Sequence, residues 1–202
     1  MSALVSGYEK PVVVGVSGAS GSVMAKDTVN ALLNRDVPVA LVCTAAGRMV
    51  WAEEMDEPYA TALATWKESP YFTEYAIGDL RAPIASGSYP TRGMVVVPCS
   101  MNSLASMAHG ISDNLLLRTA DVCLKERRPL VIVPRETPLH SGHLENMLKV
   151  SQLGAMVLPP EPPFYLRPET IDDVVRYIVN RVLVALGIEE TLPDADQYHP
   201  RN

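Results

Sequence analysis

The stretch VVVGVSGASGS, Val12 to Ser22, decides the fold. Residues 12–16 are apolar at consecutive positions, the pattern of a strand covered on both faces of a parallel sheet. The run leads through Gly15, Gly18 and Gly21, spaced three apart, into a helical pattern over about residues 22–34. Buried strand, glycine turn and helix make a first βα unit, and the alternation continues. Short Val-rich runs recur at 38–43, 94–97, 130–133 and 155–158, with helical patterns at 45–54, 113–127 and 142–153. A last helix, 171–186, has Thr170 at its N-cap and Asp173 three residues on, a capping-box variant. Gly154 and Gly187 stand where left-handed C-caps belong. This alternation predicts a doubly wound α/β fold with a mainly parallel sheet. Residues 56–89 are the weakest pattern, one helix at 59–67 followed by irregular chain.

At 202 residues, 48% hydrophobic and 20% charged, the chain has material for one domain, taken as residues 1–188. Residues 189–202 are polar and Pro-containing and read as an arm or a disordered end. A net charge of −6 argues against nucleic acid as a partner. No apolar run is long enough for a membrane span, and the first ten residues lack the regions of a secretory signal. Cys43, Cys99 and Cys123 show no CxxC spacing, which points to reduced thiols in the cytoplasm. His109, His140, His143 and His199 show no HxH or HxxxH spacing and read as caps and core contacts, not metal ligands.

In an open α/β sheet, ligands sit at the carboxyl ends of the strands, near the point where strand order reverses. The glycines after residue 16 allow close backbone approach there; taken alone, they read equally as a tight turn packing helix on strand. The dinucleotide pattern G-x-G-x-x-G fails, because the residue two after Gly15 is Ser17. No Lys-Ser/Thr pair follows Gly21, and Thr44 stands where a ribose-binding acid belongs. These departures favour a mononucleotide phosphate. A second turn, MVVVPCSMNSLASMAHG, expects Pro98 to end a strand and offers Ser100, Asn102 and Ser103 at a helix start. Plain N-capping is the other reading of those residues.

Arg118 and Lys125 lie seven apart, on one helix face. The run LVIVPRE places Arg135 and Glu136 directly after a strand, beside the two turns, where packing explains a charge poorly. Arg127 and Arg128 read as a solvated helix end. Tyr165 falls in a proline-rich loop, and Arg181 borders an apolar helix face, either snorkelling or reaching an anion. Asp172 and Asp173 lack a third Asp at i+4 and read as helix-start charge instead of a magnesium site.

GVSGASG, PCSMNSLASMAHGISDNLLLRTADVCLKERRPLVIVPRETPLH, NMLKVSQLGAMVLPPEPPFYLRPETIDDVV and NRVLVALGI together resemble the UbiX-type flavin prenyltransferases, over about residues 12–188. The resemblance implies a flavodoxin-like or Rossmann-like three-layer sandwich that binds FMN. It implies metal-independent transfer of a dimethylallyl group from dimethylallyl monophosphate to N5 and C6 of reduced FMN, making the prenylated flavin used by UbiD-type decarboxylases. It also implies a homo-oligomer, a dodecamer, with sites at subunit interfaces. By motif position, Gly18, Ala19, Ser20, Thr44, Ser100, Met101, Asn102, Ser103 and Arg135 would hold the flavin. Arg118, Lys125, Tyr165 and Arg181 would bind the substrate phosphate, some reaching in from neighbouring subunits. Glu54 and Glu136 would be the active-site carboxylates.

The chain departs from the family pattern at Leu80, where some relatives place an aromatic, and in a tail with Tyr198 but no Trp. Trp51 stands three residues before Glu54, a pairing to which the sequence assigns no role. Two other readings share the flavin-binding residues. One is a non-catalytic FMN carrier or decarboxylase subunit. The other is an FMN-dependent cysteine-type decarboxylase, which the resemblance disfavours because that group needs a His in the first half and this chain has none before His109.

Overall fold

The computed structural model describes residues 10–200. Six strands form one sheet: β1 (Val12–Val16), β2 (Val39–Cys43), β3 (Phe72–Tyr75), β4 (Gly93–Cys99), β5 (Leu130–Pro134) and β6 (Met156–Val157). All neighbours pair in parallel, in the order β3-β2-β1-β4-β5-β6, so the strand order reverses between β1 and β4. The helices are α1 (Ser22–Leu33), α2 (Ala45–Glu54), α3 (Tyr59–Lys67), α4 (Met101–Ala108), α5 (Leu115–Lys125), α6 (Ser141–Gln152) and α7 (Ile171–Ala185).

Period-two alternation along each strand divides the core into two layers. Val12, Val14, Leu41, Val95 and Val131 face α1, α7 and the helices that carry Trp51 and Trp66. Val13, Val42, Met94, Val96 and Ile132 face α4, α5 and α6. The result is the three-layer sandwich expected of consecutive apolar strands. Trp51 is 1% exposed, packs edge-on against Tyr59 and Trp66, and donates from Nε1 to the Glu57 carbonyl at 2.8 Å. It is thus a core residue that fixes the end of α2 bearing Glu54.

Three strand expectations change. β3 lies within the segment read as irregular; as an edge strand, FTEY buries only Phe72 fully and so has no apolar run to recognise. The expected strand at 155–158 pairs only over Met156–Val157. Pro98 does not end β4, which continues to Cys99; the register against β5 shifts between Val96 and Cys99, and Pro98 falls in that irregularity, where its missing N–H is tolerated. The shift also turns Cys99 to the α4–α6 face, whereas Val97 faces α1 and α7.

The capping box at Thr170 and Asp173 forms in both directions, and Gly154 and Gly187 follow their helices at φ 104° and 66°. Beyond α7, a 3₁₀ turn at Asp194–Asp196 returns to the helix, where Asn180 Nδ2 donates to the buried Asp196 carboxylate at 2.6 Å.

Candidate active site

The carboxyl ends of β1, β2, β4 and β5 are tied together by main-chain bonds. Thr44 N donates to Val16 O at 2.9 Å, Ser17 N to Pro98 O at 3.2 Å, and Arg135 N to Cys99 O at 3.1 Å. The turns after these strands therefore share one edge, and the crevice between β1 and β4 is the switch point at which α/β folds bind ligands.

The glycine turn is kept bare by its neighbours. A Cβ on Gly18 would lie 2.5 Å from that of Ala46, so α2 comes too close for a side chain there. Gly21 takes φ 112° at the N-cap of α1 and offers its N–H to the Glu54 carboxylate at 2.9 Å, as does Ser22 N–H at 2.9 Å. Burial pushes the Glu54 carboxyl up. Hydrogen bonds from the Ser20 side chain and from the Ser22 and Gly21 N–H groups outweigh it, holding the group below its ordinary range. The last residue of α2 thus caps α1, with Ser20 in its reach.

The other turns are ordered by their own caps. Thr44 Oγ1 accepts from Gly47 N at 2.9 Å, and Ser100 Oγ accepts from Ser103 N at 3.2 Å while donating to Ser103 Oγ at 3.1 Å. Met101 is half-buried and Asn102 exposed. Arg135 and Glu136 are exposed beside them; Glu136 Oε1 accepts from Thr137 N at 3.0 Å, and among the described residues the Arg135 guanidinium has no protein partner. His140 caps α6 by accepting from His143 N, and the two rings stack at 3.5 Å. Burial pushes the Cys43, Cys99 and Cys123 thiols up to about 11, 12 and 11, which leaves no thiolate nucleophile at neutral pH.

Four residues make no bond to these turns among the described residues. α5 starts at the carboxyl edge, where Leu115 N donates to Ile77 O, and runs back along the sheet for 11 residues, about 16 Å of helix. Arg118 donates to Ala85 O at 3.0 Å and pairs with Asp121 at 2.6 Å. Lys125 pairs with Glu126 beside Gly87, and next to it Arg128 reaches Tyr89 O and Thr91 Oγ1, just before β4 begins. Lys125 is therefore at the amino edge of the sheet, opposite the glycine turn. Tyr165 and Arg181 form a further group: the Tyr165 hydroxyl is 3.3 Å from that of Tyr177, one turn before Arg181, and its ring meets Tyr198 edge-on at 6.1 Å. The Tyr165 hydrogen bond, then burial, raises the Tyr177 phenol, while Arg181 pulls it down. Among the described residues, no hydrogen bond or ion pair joins either group to the turns.

Sequence reasoning missed Tyr177, for which the signal was its i, i+4 spacing to Arg181 on one helix face. It also read Ser17 only as a mismatch to the dinucleotide pattern.

A doubly wound sheet with two capped hydroxyl turns and an open guanidinium at its switch point defines a nucleotide-binding α/β protein, and the family model described as Flavoprotein matches residues 4–183. A flavin prenyltransferase UbiX from Alkalihalophilus pseudofirmus is 47% identical over 195 residues, spanning 91% of this chain and 94% of the relative. Among solved structures, a dodecameric FMN-dependent UbiX-like decarboxylase from Escherichia coli O157:H7 superposes with a TM-score of 0.86 at 39% identity, covering 94% of this chain and all of that one. The structure of AnUbiX (PadA1) in complex with FMN and dimethylallyl pyrophosphate gives 0.83 at 37% identity, covering 96% of this chain and 97% of the other. The chain belongs to the UbiX-type flavin prenyltransferase family within the flavoproteins.

Proposed function

We propose that the protein transfers a dimethylallyl group from dimethylallyl monophosphate to reduced FMN, without a metal, and that the prenylated flavin passes to a UbiD-type decarboxylase. The observation that carries this reading is the switch-point crevice in a chain 47% identical to a flavin prenyltransferase. Its donors are the hydroxyls of Ser20, Thr44, Ser100 and Ser103 and the partner-free Arg135 guanidinium. Its one capping carboxylate, Glu54, is held by α1. This set fits the phosphate and polar ring edge of a flavin mononucleotide, with Gly18, Ala19, Ser20, Thr44, Ser100, Met101, Asn102, Ser103 and Arg135 as its holders. When bound and reduced, FMN supplies the nucleophilic ring edge that accepts the prenyl group.

The chain's own residues do the rest. As the allylic carbon–oxygen bond breaks, negative charge grows on the leaving phosphate. Arg118, Lys125, Arg181 and the Tyr165 hydroxyl stabilise that charge where a diphosphate enzyme would use magnesium. Glu54, with Ser20 in hydrogen-bond reach, holds a proton acceptor at the glycine turn. Glu136 or the released phosphate would take the proton lost from the ring carbon and return one to the prenyl double bond, which the closure consumes.

Since Lys125 ends α5 at the amino edge, away from the turn in its own subunit, a neighbouring copy completes each site, and the protein works as a homo-oligomer of the dodecameric kind. The exposed apolar residues Leu144 and Leu148 on α6, with Leu139, Leu153 and Met156 near them in the chain, give copies of the chain a surface to share.

The test is to incubate the purified protein with reduced FMN and dimethylallyl monophosphate, then with the diphosphate, and to measure the flavin mass. Addition of one dimethylallyl group is expected with the monophosphate. Recovery of unmodified FMN with both donors overturns the transferase reading and leaves a flavin carrier. For a cysteine-type decarboxylase, the first half of the chain holds no His to act as base.

A further inference from the structure

We propose that Ser17 is a positioning residue that sets the separation of the two flavin-holding turns; the proposal rests on the FMN reading above. Ser17 occupies the place where the dinucleotide pattern requires its second glycine. In this chain the position carries a side chain only 1% exposed, lying between β1 and β4 at the switch point. Its Oγ donates to the Pro98 carbonyl at 3.0 Å and accepts from Ser100 N–H at 2.8 Å. One hydroxyl thus closes a donor–acceptor chain from the glycine turn to the PCSMNS turn.

The β4 ladder does not do this work. Its register against β5 shifts between Val96 and Cys99, and the ladder ends at Cys99, so Ser100 lies beyond it. Ser17 N already bonds the Pro98 carbonyl at 3.2 Å, and the Ser17 hydroxyl extends that tie to the Ser100 N–H at the start of α4. The effect travels outward because Ser100 is the N-cap of α4. Its Oγ accepts from Ser103 N and donates to Ser103 Oγ, so displacing Ser100 displaces both hydroxyls offered to the flavin. Removing Oγ also leaves the half-buried Ser100 N–H without its acceptor, which a small shift of the turn would relieve.

The experiment titrates FMN fluorescence against wild type, Ser17→Ala and Ser17→Thr, well below each melting temperature, and records the melting temperatures separately. Ser17→Ala is expected to bind FMN about tenfold more weakly, the loss of one buried hydrogen-bond pair. Ser17→Thr, which keeps the hydroxyl, is expected to recover most of that affinity. A Ser17→Ala protein that melts earlier but binds FMN like wild type makes Ser17 merely structural and overturns the proposal. Failure of Ser17→Thr to recover affinity also overturns it, since the hydroxyl would not be the cause. A wild-type chain that binds no FMN overturns the FMN reading and this one together. Amide exchange in the wild type needs no variant. The Ser100 amide is expected to exchange at least about a hundredfold more slowly than in unstructured chain, and an unprotected Ser100 N–H means that the tie does not form.

Discussion

Glu54 caps α1 with the same carboxylate that the proposed mechanism uses. Its pKa is held below the ordinary 4.5 by hydrogen bonds that exist only when α1 and α2 are in place. A carboxyl depressed in the folded state adds stability above its unfolded pKa and loses it as pH falls through the folded one. Wild type is therefore expected to resist urea better than Glu54→Gln at pH 7, with the gap closing as the buffer is taken below pH 4.5. Urea midpoints across that range check this, and a gap independent of pH would show that charge plays no part. The same substitution removes the proton acceptor proposed for the glycine turn, so a loss of turnover at pH 7, with FMN still bound, accompanies the loss of stability.

At the scale of elements, α7 is the best test of how a local pattern becomes a structure. Thr170 and Asp173 exchange hydrogen bonds in a capping box at its start. Thr170→Ala is expected to cost about 1 kcal/mol of unfolding free energy, read from urea denaturation, without changing FMN affinity. Signals of this kind, a cap or an unbroken valine run, made β1, β2, β5 and all of α1, α2, α3, α6 and α7 legible to within a residue or two. β3 was not legible, because an edge strand with one buried residue carries no periodic apolar signal. Pro98 misled because a proline is a barrier to a regular ladder but not to one already interrupted. In the site, the turns after β1, β2, β4 and β5 do meet at one edge, where the sequence places them. The course of α5 was only half readable: seven residues of spacing place Arg118 and Lys125 on one face, but say nothing about which edge of the sheet that face ends at.

For the whole molecule, the direction of α5 has a genetic meaning. A helix that returns along the sheet carries Lys125 to the amino edge while Glu54 stays at the carboxyl edge with the glycine turn. On the proposed assembly, each working centre then draws on two gene products' worth of chain. Lys125→Ala alone is expected to keep FMN and lose about a hundredfold in turnover, the usual consequence of deleting one donor to a developing charge. Glu54→Gln alone is expected to be comparably impaired. Dissociated and reassembled together in equal amounts, the two defective proteins are expected to regain about one quarter of wild-type activity, because random mixing pairs an intact Glu54 with a neighbour's intact Lys125 at that frequency. Mixtures no more active than their parts would place both residues in the same subunit's centre. The two lesions belong to one polypeptide, yet they are expected to complement like mutations in separate genes.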